Sequence, residues 1–370
     1  MVAPKAQLCA ILLFALSTQF CGTQATKATK DQPPPAAAPS PTAPQPTPVP
    51  EPVPVPTPVP APAPAPVPTP EATTPVAKHG ALSVKNGTLV DQAGKPVQLV
   101  GASSHGLQWY PQFMNRESFV FLRDHWGLSV IRAAMYVEEG GYLQNPGIKQ
   151  AVFNTVEAAI AADIYVVIDW HMLSEGDPRT HQREAREFFL EVAAKYKGVP
   201  NVLFEICNEP NGSVGWDGVR SYAQDIVEAI RKNNQSAVVI IGSPQWSQRP
   251  DLAAQSPVTG MNLMYTIHFY AASHRGDIRQ NVLTALNSGI AVMATEWSTT
   301  EAWGGGTPNE AEADLWLAML DANNISWMAW TLSDNALSSS LLVPGASPRG
   351  GWTDKDLTQT GRYVRKHMIK

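Results

Sequence analysis

Cysteine is scarce: Cys9, Cys21 and Cys207 are the only three in 370 residues. That is too few for a disulfide scaffold, so the fold must rest on an apolar core. Charge is thin too, with 16% Asp, Glu, Lys and Arg and a formal net charge of −5. No basic stripe runs through the chain, which excludes the electrostatic footprint of a nucleic-acid partner. Long apolar runs are missing as well. The run at residues 8–16 has nine residues, about half of the roughly 18 that a membrane span needs. Proline is sparse over most of the chain and dense in one part. Of 33 prolines, 20 fall between residues 31 and 80, and 12 in residues 81–370. The chain therefore divides into an N-terminal tail and one folded unit of a size that suits a single α/β barrel.

Residues 1–25 read as a signal peptide. Lys5 supplies the positive start, residues 8–16 the apolar core, and Thr23-Gln24-Ala25 a small-residue cleavage site. The expected location is secreted or periplasmic. A lipid anchor at Cys21 is disfavoured, because Phe20 is bulky for the residue ahead of a lipidated cysteine. Cleavage would leave Cys207 alone, so export without a disulfide is expected. Residues 26–76 form a proline-rich segment in which about 32–75 alternates proline with Ala, Val and Thr. Proline fixes φ and lacks an N–H, so this stretch is expected to be a disordered, extended polyproline II spacer. The folded unit is expected over 77–370.

A short hairpin candidate (LSVKNG, then TLVDQAGKPV) opens that unit. Eight buried-type apolar runs follow, at 97–104, 129–136, 164–171, 202–209, 237–243, 263–270, 290–297 and 325–332, with helix-like stretches between them. Near-continuous apolar runs suit strands buried on both faces, as in parallel sheets. Eight alternations of strand and helix predict a (β/α)8 TIM barrel. A doubly wound open sheet would not need eight units, and no GxGxxG opens a helix.

In such barrels the chemistry sits at the C-terminal ends of the strands. Those ends carry Ser103, Ser104 and His105; Arg132 and Tyr136; Asp169, Trp170 and His171; Asn208 and Glu209; Trp246; His268 and Tyr270; Glu296 and Trp297; and Trp330 with Asp334. Ionisable or aromatic groups at almost every end are costly unless paired, and converging ends make one cleft. Glu209 and Glu296 follow the fourth and seventh runs, nearly opposite each other in an eight-strand barrel. Glycoside hydrolysis needs such a pair: one acid to protonate the leaving oxygen, one carboxylate to meet the oxocarbenium-like carbon. All 11 tryptophans lie after residue 100. Trp109, Trp216, Trp246, Trp303 and Trp330 fall in loops or at strand ends, where indole faces suit pyranose rings. Trp126, Trp316 and Trp327 read as core or helix-face residues.

The strings SSHGLQWY (103–110), IRAAMY (131–136), VVIDWH (166–171), FEICNEPNG (204–212), HFYAASH (268–274), ATEW (294–297) and WTLSDNALSSSLLVPGASPRGGW (330–352), in this order, resemble glycoside hydrolase family 5. They are most similar to its bacterial-type endo-β-1,4-glucanases (cellulases). The resemblance spans the folded unit and not the tail. It implies a retaining double displacement on a β-glucan, with Glu209 as acid/base and Glu296 as nucleophile. It implies that Asn208 holds the sugar 2-hydroxyl, that Arg132 and Tyr270 hydrogen-bond Glu296, and that His268 works beside the pair. His105, Trp109, Tyr136, His171, Trp216, Trp246, Trp330 and Asn335 would form the substrate-binding set, with Trp330 as the stacking platform before a cis peptide bond to Thr331. No cofactor, metal, nucleic acid or membrane span is implied, and a monomer is expected. Three features depart from the family pattern. Asn335 stands where close relatives carry a sugar-contacting Lys, Trp303 and three glycines follow Glu296, and Pro244 is added before Trp246.

Other readings are weaker. His105, His171 and His268 could suggest a metal-dependent barrel hydrolase, but the first strand has no HxH pair and no Asp stands where the metal base belongs. A non-catalytic glycan-binding relative would be expected to have lost one of the two glutamates. A mannanase, xyloglucanase or mixed-linkage β-glucanase keeps the same pair and remains open.

Overall fold

The computed structural model describes residues 73–369. The signal-peptide reading of 1–25 and nearly all of the spacer reading of 26–76 lie outside the described residues. The folded unit begins before the expected boundary at 77. Pro75 opens a short helix, α1 (Pro75–His79), where its missing N–H costs nothing. Val76 is buried, Thr74 Oγ1 hydrogen-bonds Asp163, and Asp163 also accepts from the Ala77 N–H at 3.0 Å. Pro75 thus belongs to the domain rather than to the spacer.

The hairpin is present as β1 (Ser83–Lys85) and β2 (Thr88–Val90). Its turn residues Asn86 and Gly87 both have positive φ, 51° and 71°, the requirement of a two-residue hairpin turn. Eight parallel strands then close a barrel: β3 (Val100–Ser104), β4 (Val130–Tyr136), β5 (Tyr165–His171), β6 (Val202–Glu205), β7 (Val239–Ile241), β8 (Leu263–Tyr270), β9 (Ala291–Ser298) and β10 (Trp327–Leu332), with β10 pairing back to β3. This is the predicted (β/α)8 architecture. Strands 1, 4 and 5 of the barrel are markedly shorter than their apolar runs. Residues 206–209 leave the sheet after β6, with the Asn208 N–H turning to the carbonyl of Trp170 at 3.2 Å.

The helices between the strands include α2 (Arg116–Trp126), α3 (Lys149–Ala161), α4 (Gln182–Lys195), α5 (Trp216–Asn233), α6 (Pro244–Ser247), α7 (Pro250–Gln255), α8 (Gly276–Asn287) and α9 (Glu310–Ala322), and α10 (Gln359–Met368) follows the last strand. Their apolar faces join the outward strand residues in one core that contains Phe119, Leu122, Ile131, Val156, Phe188, Phe204, Ile226 and Trp316.

The alternation of side chains along a strand decides what enters the barrel. On β4, Val130 belongs to the lower interior cluster and Ala134 and Tyr136 to the mouth, while Ile131, Ala133 and Met135 join the helix-side core. Arg132, two residues from Val130 and from Ala134, therefore points inward. The same step of two takes β5 from Tyr165 and Val167 to Asp169, and β6 from Leu203 to Glu205. The lower interior is apolar and is plugged by Leu82, Leu89 and Val97 from the hairpin region. Charge begins one layer above it.

Candidate active site

Arg132 organises that charged layer. It has no solvent exposure, and its guanidinium reaches five groups. Nε donates to Glu205 at 2.8 Å, Nη1 to Glu296 at 3.0 Å and to Ser103 Oγ at 3.3 Å, and Nη2 to Asn208 Oδ1 at 2.6 Å, while Nη2 forms an ion pair with Asp169 at 3.0 Å. Burial alone would lower its pKa, but the carboxylates of Asp169, Glu205 and Glu296 outweigh that and hold it charged. The second oxygen of Glu296 accepts from Tyr270 Oη at 2.7 Å. Both oxygens of Glu296 are thus held by donors, and its rotamer is fixed by two elements, β4 and β8.

Glu205 is buried, yet its pKa falls to about 2. Burial pushes it up, and the Arg132 charge and His268 pull it further down. His268 sits between Glu205 and Glu209. Its Nδ1 lies 2.8 Å from Glu209 Oε1, and its Nε2 lies 2.9 Å from Thr295 Oγ1 and 3.6 Å from Glu205. Burial would lower His268, but the carboxylates of Glu205 and Glu209 and the nearby Glu296 charge raise it to about 9. A carboxylate oxygen of Glu209, one of Glu296 and a ring nitrogen of His268 all lie within 4.8 Å of one another.

The mouth is aromatic. His105, Tyr136, His171, Trp246, Tyr270, Trp303, Trp330 and Leu337 line a cavity of about 330 Å³ with Glu209 and Glu296 at its floor. His171 Nδ1 bonds Asp169 at 2.7 Å, and its ring stacks on Trp330 at 5.5 Å and 14°. Burial and the Arg132 charge drop the His171 pKa to about 3. Burial, with His171 close by, lowers His105 to about 4. Both therefore stand neutral, as hydrogen-bonding rings rather than cations. The peptide between Trp330 and Thr331 is cis, as expected.

Trp246 is presented by an unusual turn. In α6, Gln245, Trp246 and Ser247 all have positive φ, 58°, 56° and 56°. L-residues pay about 1–2 kcal/mol each for this left-handed state. Tertiary bonds hold it: Ser247 Oγ donates to the Asn208 carbonyl at 2.6 Å, and the Trp246 N–H to the Pro210 carbonyl at 3.0 Å. Both bonds grip the chain on either side of Glu209. Pro244, unexpected from the sequence pattern, starts the turn.

Most residues expected at the site converge: Glu209, Glu296, Arg132, Asn208, His268, Tyr270, His105, Tyr136, His171, Trp246 and Trp330. Trp109 is 44% exposed and reaches the cavity wall through an edge contact with Tyr136 at 5.0 Å. Two do not join this cluster. Trp216 is buried at the start of α5, packs on Tyr265 and donates Nε1 to the Ser256 carbonyl at 2.9 Å, so it is a packing residue. Asn335 spends its Oδ1 on the Leu337 N–H at 2.9 Å, which shapes its own turn and puts Leu337 in the cavity instead. Glu205 and Thr295 were missed. The signal for Glu205 was present: an acid inside the apolar run 202–209, two residues from an inward Leu203.

Among the described residues two groups could hold a metal ion by spacing: Glu209 with His268 and Glu296, and, in the loops after β4 and β5, Glu138 with Glu175 and His181. In the first group, hydrogen bonds within the barrel already occupy both oxygens of Glu296, Oε1 of Glu209 and Nδ1 of His268.

Residues 90–336 match the family model described as cellulase (glycosyl hydrolase family 5). An endoglucanase of Clostridium saccharobutylicum is 46% identical over 291 residues, covering 78% of this chain and 65% of that protein. Endoglucanase A of Evansella cellulosilytica is 47% identical over 302 residues, covering 77% of this chain and 62% of that protein. The chain thus spans less than two thirds of the length of either relative. The catalytic domain of Thermobifida fusca endoglucanase Cel5A, solved as a variant in complex with cellotetraose, superposes with a TM-score of 0.77 at 35% identity, covering 80% of this chain and 99% of that one.

Proposed function

The chain belongs to glycosyl hydrolase family 5, the cellulase family, and we propose that it cleaves internal β-1,4-glucosidic bonds of unsubstituted glucans with retention of configuration. The observation that carries the reading is the spacing of Glu209 and Glu296, oxygens within 4.8 Å of each other across the cavity floor. That is on the short side of the two glycosidase geometries: roughly 5–5.5 Å lets one carboxylate attack, whereas a wider gap admits a water.

In the first step Glu296 attacks the anomeric carbon while Glu209 gives its proton to the departing glycosidic oxygen. Arg132 and Tyr270 hold both oxygens of Glu296 in line, so little reorganisation is left for the reaction. Esterification removes the Glu296 charge. Glu209, now a carboxylate, takes a proton from water, which displaces Glu296 and restores both groups. Asn208 stands where a sugar 2-hydroxyl would pass, its own orientation fixed by Arg132. His268 holds the Glu209 carboxyl. Neutral His105 and His171, with Tyr136 and Trp330, frame the sugar ring at the cleavage point, and Trp109 and Trp246 extend the track beyond it.

We also read the chain as an exported enzyme, on the pattern of residues 1–25, with 26–76 as a spacer and 77–370 as the catalytic unit apart from the first turn described above. N-terminal sequencing of the protein recovered outside the cytoplasm tests this.

The activity is tested by reducing-sugar release on carboxymethylcellulose, mixed-linkage glucan, galactomannan and xyloglucan, with viscosity followed in parallel. A fast viscosity drop on carboxymethylcellulose with few ends released supports the reading. Silence there with turnover of galactomannan or xyloglucan moves the substrate and keeps the pair. Glu209→Ala and Glu296→Ala are each expected to lose most turnover. Azide should rescue the Glu296 variant to an α-glycosyl azide and the Glu209 variant to the β form. Near-wild-type activity of either variant overturns the assignment.

A further inference from the structure

Trp303 is 64% exposed, more than Trp246 at 48% or Trp109 at 44%, and it stands in the same cavity as Glu209 and Glu296. An indole face left in water inside the cleft that holds the two carboxylates is placed to meet what binds there. The ring is nevertheless not loose. Its Nε1 donates to Glu301 Oε2 at 2.9 Å. The Glu301 N–H bonds the Gly305 carbonyl and the Gly304 N–H the Glu301 carbonyl, both at 2.9 Å, which closes the loop on itself. The loop is tied to its neighbours by Ala302 N–H to Ser273 Oγ and by Ser339 N–H to the Gly304 carbonyl, each 3.0 Å.

Gly305 explains the pose. A Cβ on that residue would fall 1.9 Å from Cη2 and 2.0 Å from Cζ3 of Trp303, so the benzo edge of the indole rests directly on the glycine backbone. Gly304 supplies the positive φ, 87°, that the turn needs. The run Ala-Trp-Gly-Gly is thus a seat for the indole, with part of the ring against Gly305 and the rest open to the cavity. Ala302, one residue earlier, also borders the second cavity formed with Trp246, Gln248 and His274, and the two cavities meet at Glu209 and Tyr270.

We propose that Trp303 is a sugar platform whose open face stacks on a pyranose ring of an unsubstituted β-glucan bound beside the Glu209–Glu296 pair. The inference rests on the proposed function. A pyranose offers a C–H face that matches an indole, and a ring already held by Glu301 and Gly305 loses little entropy on binding. A glucan with bulky branches at the same position would meet the indole edge-on and be held less well.

The experiment uses the full chain and cellohexaose, with kcat and KM separated. Trp303→Ala is expected to raise KM about tenfold, the equivalent of about 1.4 kcal/mol, with kcat nearly unchanged. Trp303→Phe should recover most of the loss. Gly305→Ala leaves the indole in the sequence but unseats it, so it should reproduce the Trp303→Ala effect, and the double variant should be no worse than either single one. Unchanged KM in Trp303→Ala overturns the proposal, as does a wild-type KM in Gly305→Ala. Thermal melting of each variant separates misfolding from lost binding, and Trp303→Phe provides the comparison if Gly305→Ala melts early. Failure of the proposed function shows differently: the unaltered enzyme would neither cleave cellohexaose nor bind it in calorimetry, and the platform would fall with it.

Discussion

His268 meets Glu209 at 2.8 Å through Nδ1 and turns its other nitrogen to Thr295, whose hydroxyl donates to Glu205 at 2.8 Å. Arg132 then bridges Glu205 to Glu296. An unbroken series of short contacts therefore joins the two glutamates proposed to do the chemistry, and it runs through the barrel interior beneath the cavity. A charge change at one end is felt at the other, because the interior dielectric is low.

Glu205→Gln tests that connection. It keeps the shape and removes the anion, so His268 should titrate closer to its ordinary pKa than the value of about 9 it has now. The imidazole shift is measurable by NMR, alongside the pH dependence of kcat. The variant should remain folded with turnover reduced on the order of tenfold to a hundredfold. An unmoved His268 titration refutes the link.

Stability should decline on both sides of neutrality, for different residues. His268 is raised, so its contribution is complete below about 6.5 and is lost as pH climbs through about 9. His105 and His171 are lowered, to about 4 and about 3, so theirs is present above about 6.5 and lost as pH falls toward those values. Melting curves from pH 4 to 10 should show a flattened alkaline fall in His268→Gln and a flattened acid fall in His171→Asn. Parallel curves for variant and wild type rule the assignment out.

Arg132→Lys should be among the most damaging conservative changes in the chain. One ammonium cannot serve Glu205, Glu296, Asn208 and Asp169 in the planar fork that the guanidinium provides. Breaking buried pairs of this kind costs about 3–5 kcal/mol. Kinetics should show kcat reduced far more than KM is raised, and calorimetry a lower melting temperature.

Trp216→Ala separates packing from binding. It should lose about 3–5 kcal/mol of stability as a buried indole removed from the core, with KM for soluble glucan unaltered. A raised KM with an unaltered melting temperature would return Trp216 to the substrate track.

Ser247→Ala removes the hydroxyl that grips the Asn208 carbonyl. Stability should fall by about 1 kcal/mol, and kcat/KM by more than the lost Trp246 contact alone explains, because the Glu209 segment loosens too. The comparison is with Trp246→Ala: equal effects would show that Ser247 acts only through the tryptophan.

The barrel was legible because eight apolar runs at helix-separated intervals admit few other closures, and the pair Glu209 and Glu296 because barrel chemistry gathers at strand ends. Glu205 escaped because it sits one layer deeper, where the sequence offers only an acid in an apolar run and no statement of what neutralises it. Trp216 was misplaced for the opposite reason. A tryptophan near the fourth strand reads like its cleft-lining neighbours until the helix register shows which way it faces. Asn335 needed the turn itself, since an amide can serve a sugar or its own backbone equally well.

The left-handed turn at residues 245–247 also bears on how this cleft can change over generations. Gln245 is exposed, and exposed loop positions usually drift freely. Here the backbone admits glycine or asparagine readily and β-branched residues hardly at all. A surface position next to the substrate track therefore has the narrow repertoire of an interior one, and new specificities on this side of the cleft must arise around the turn and not within it.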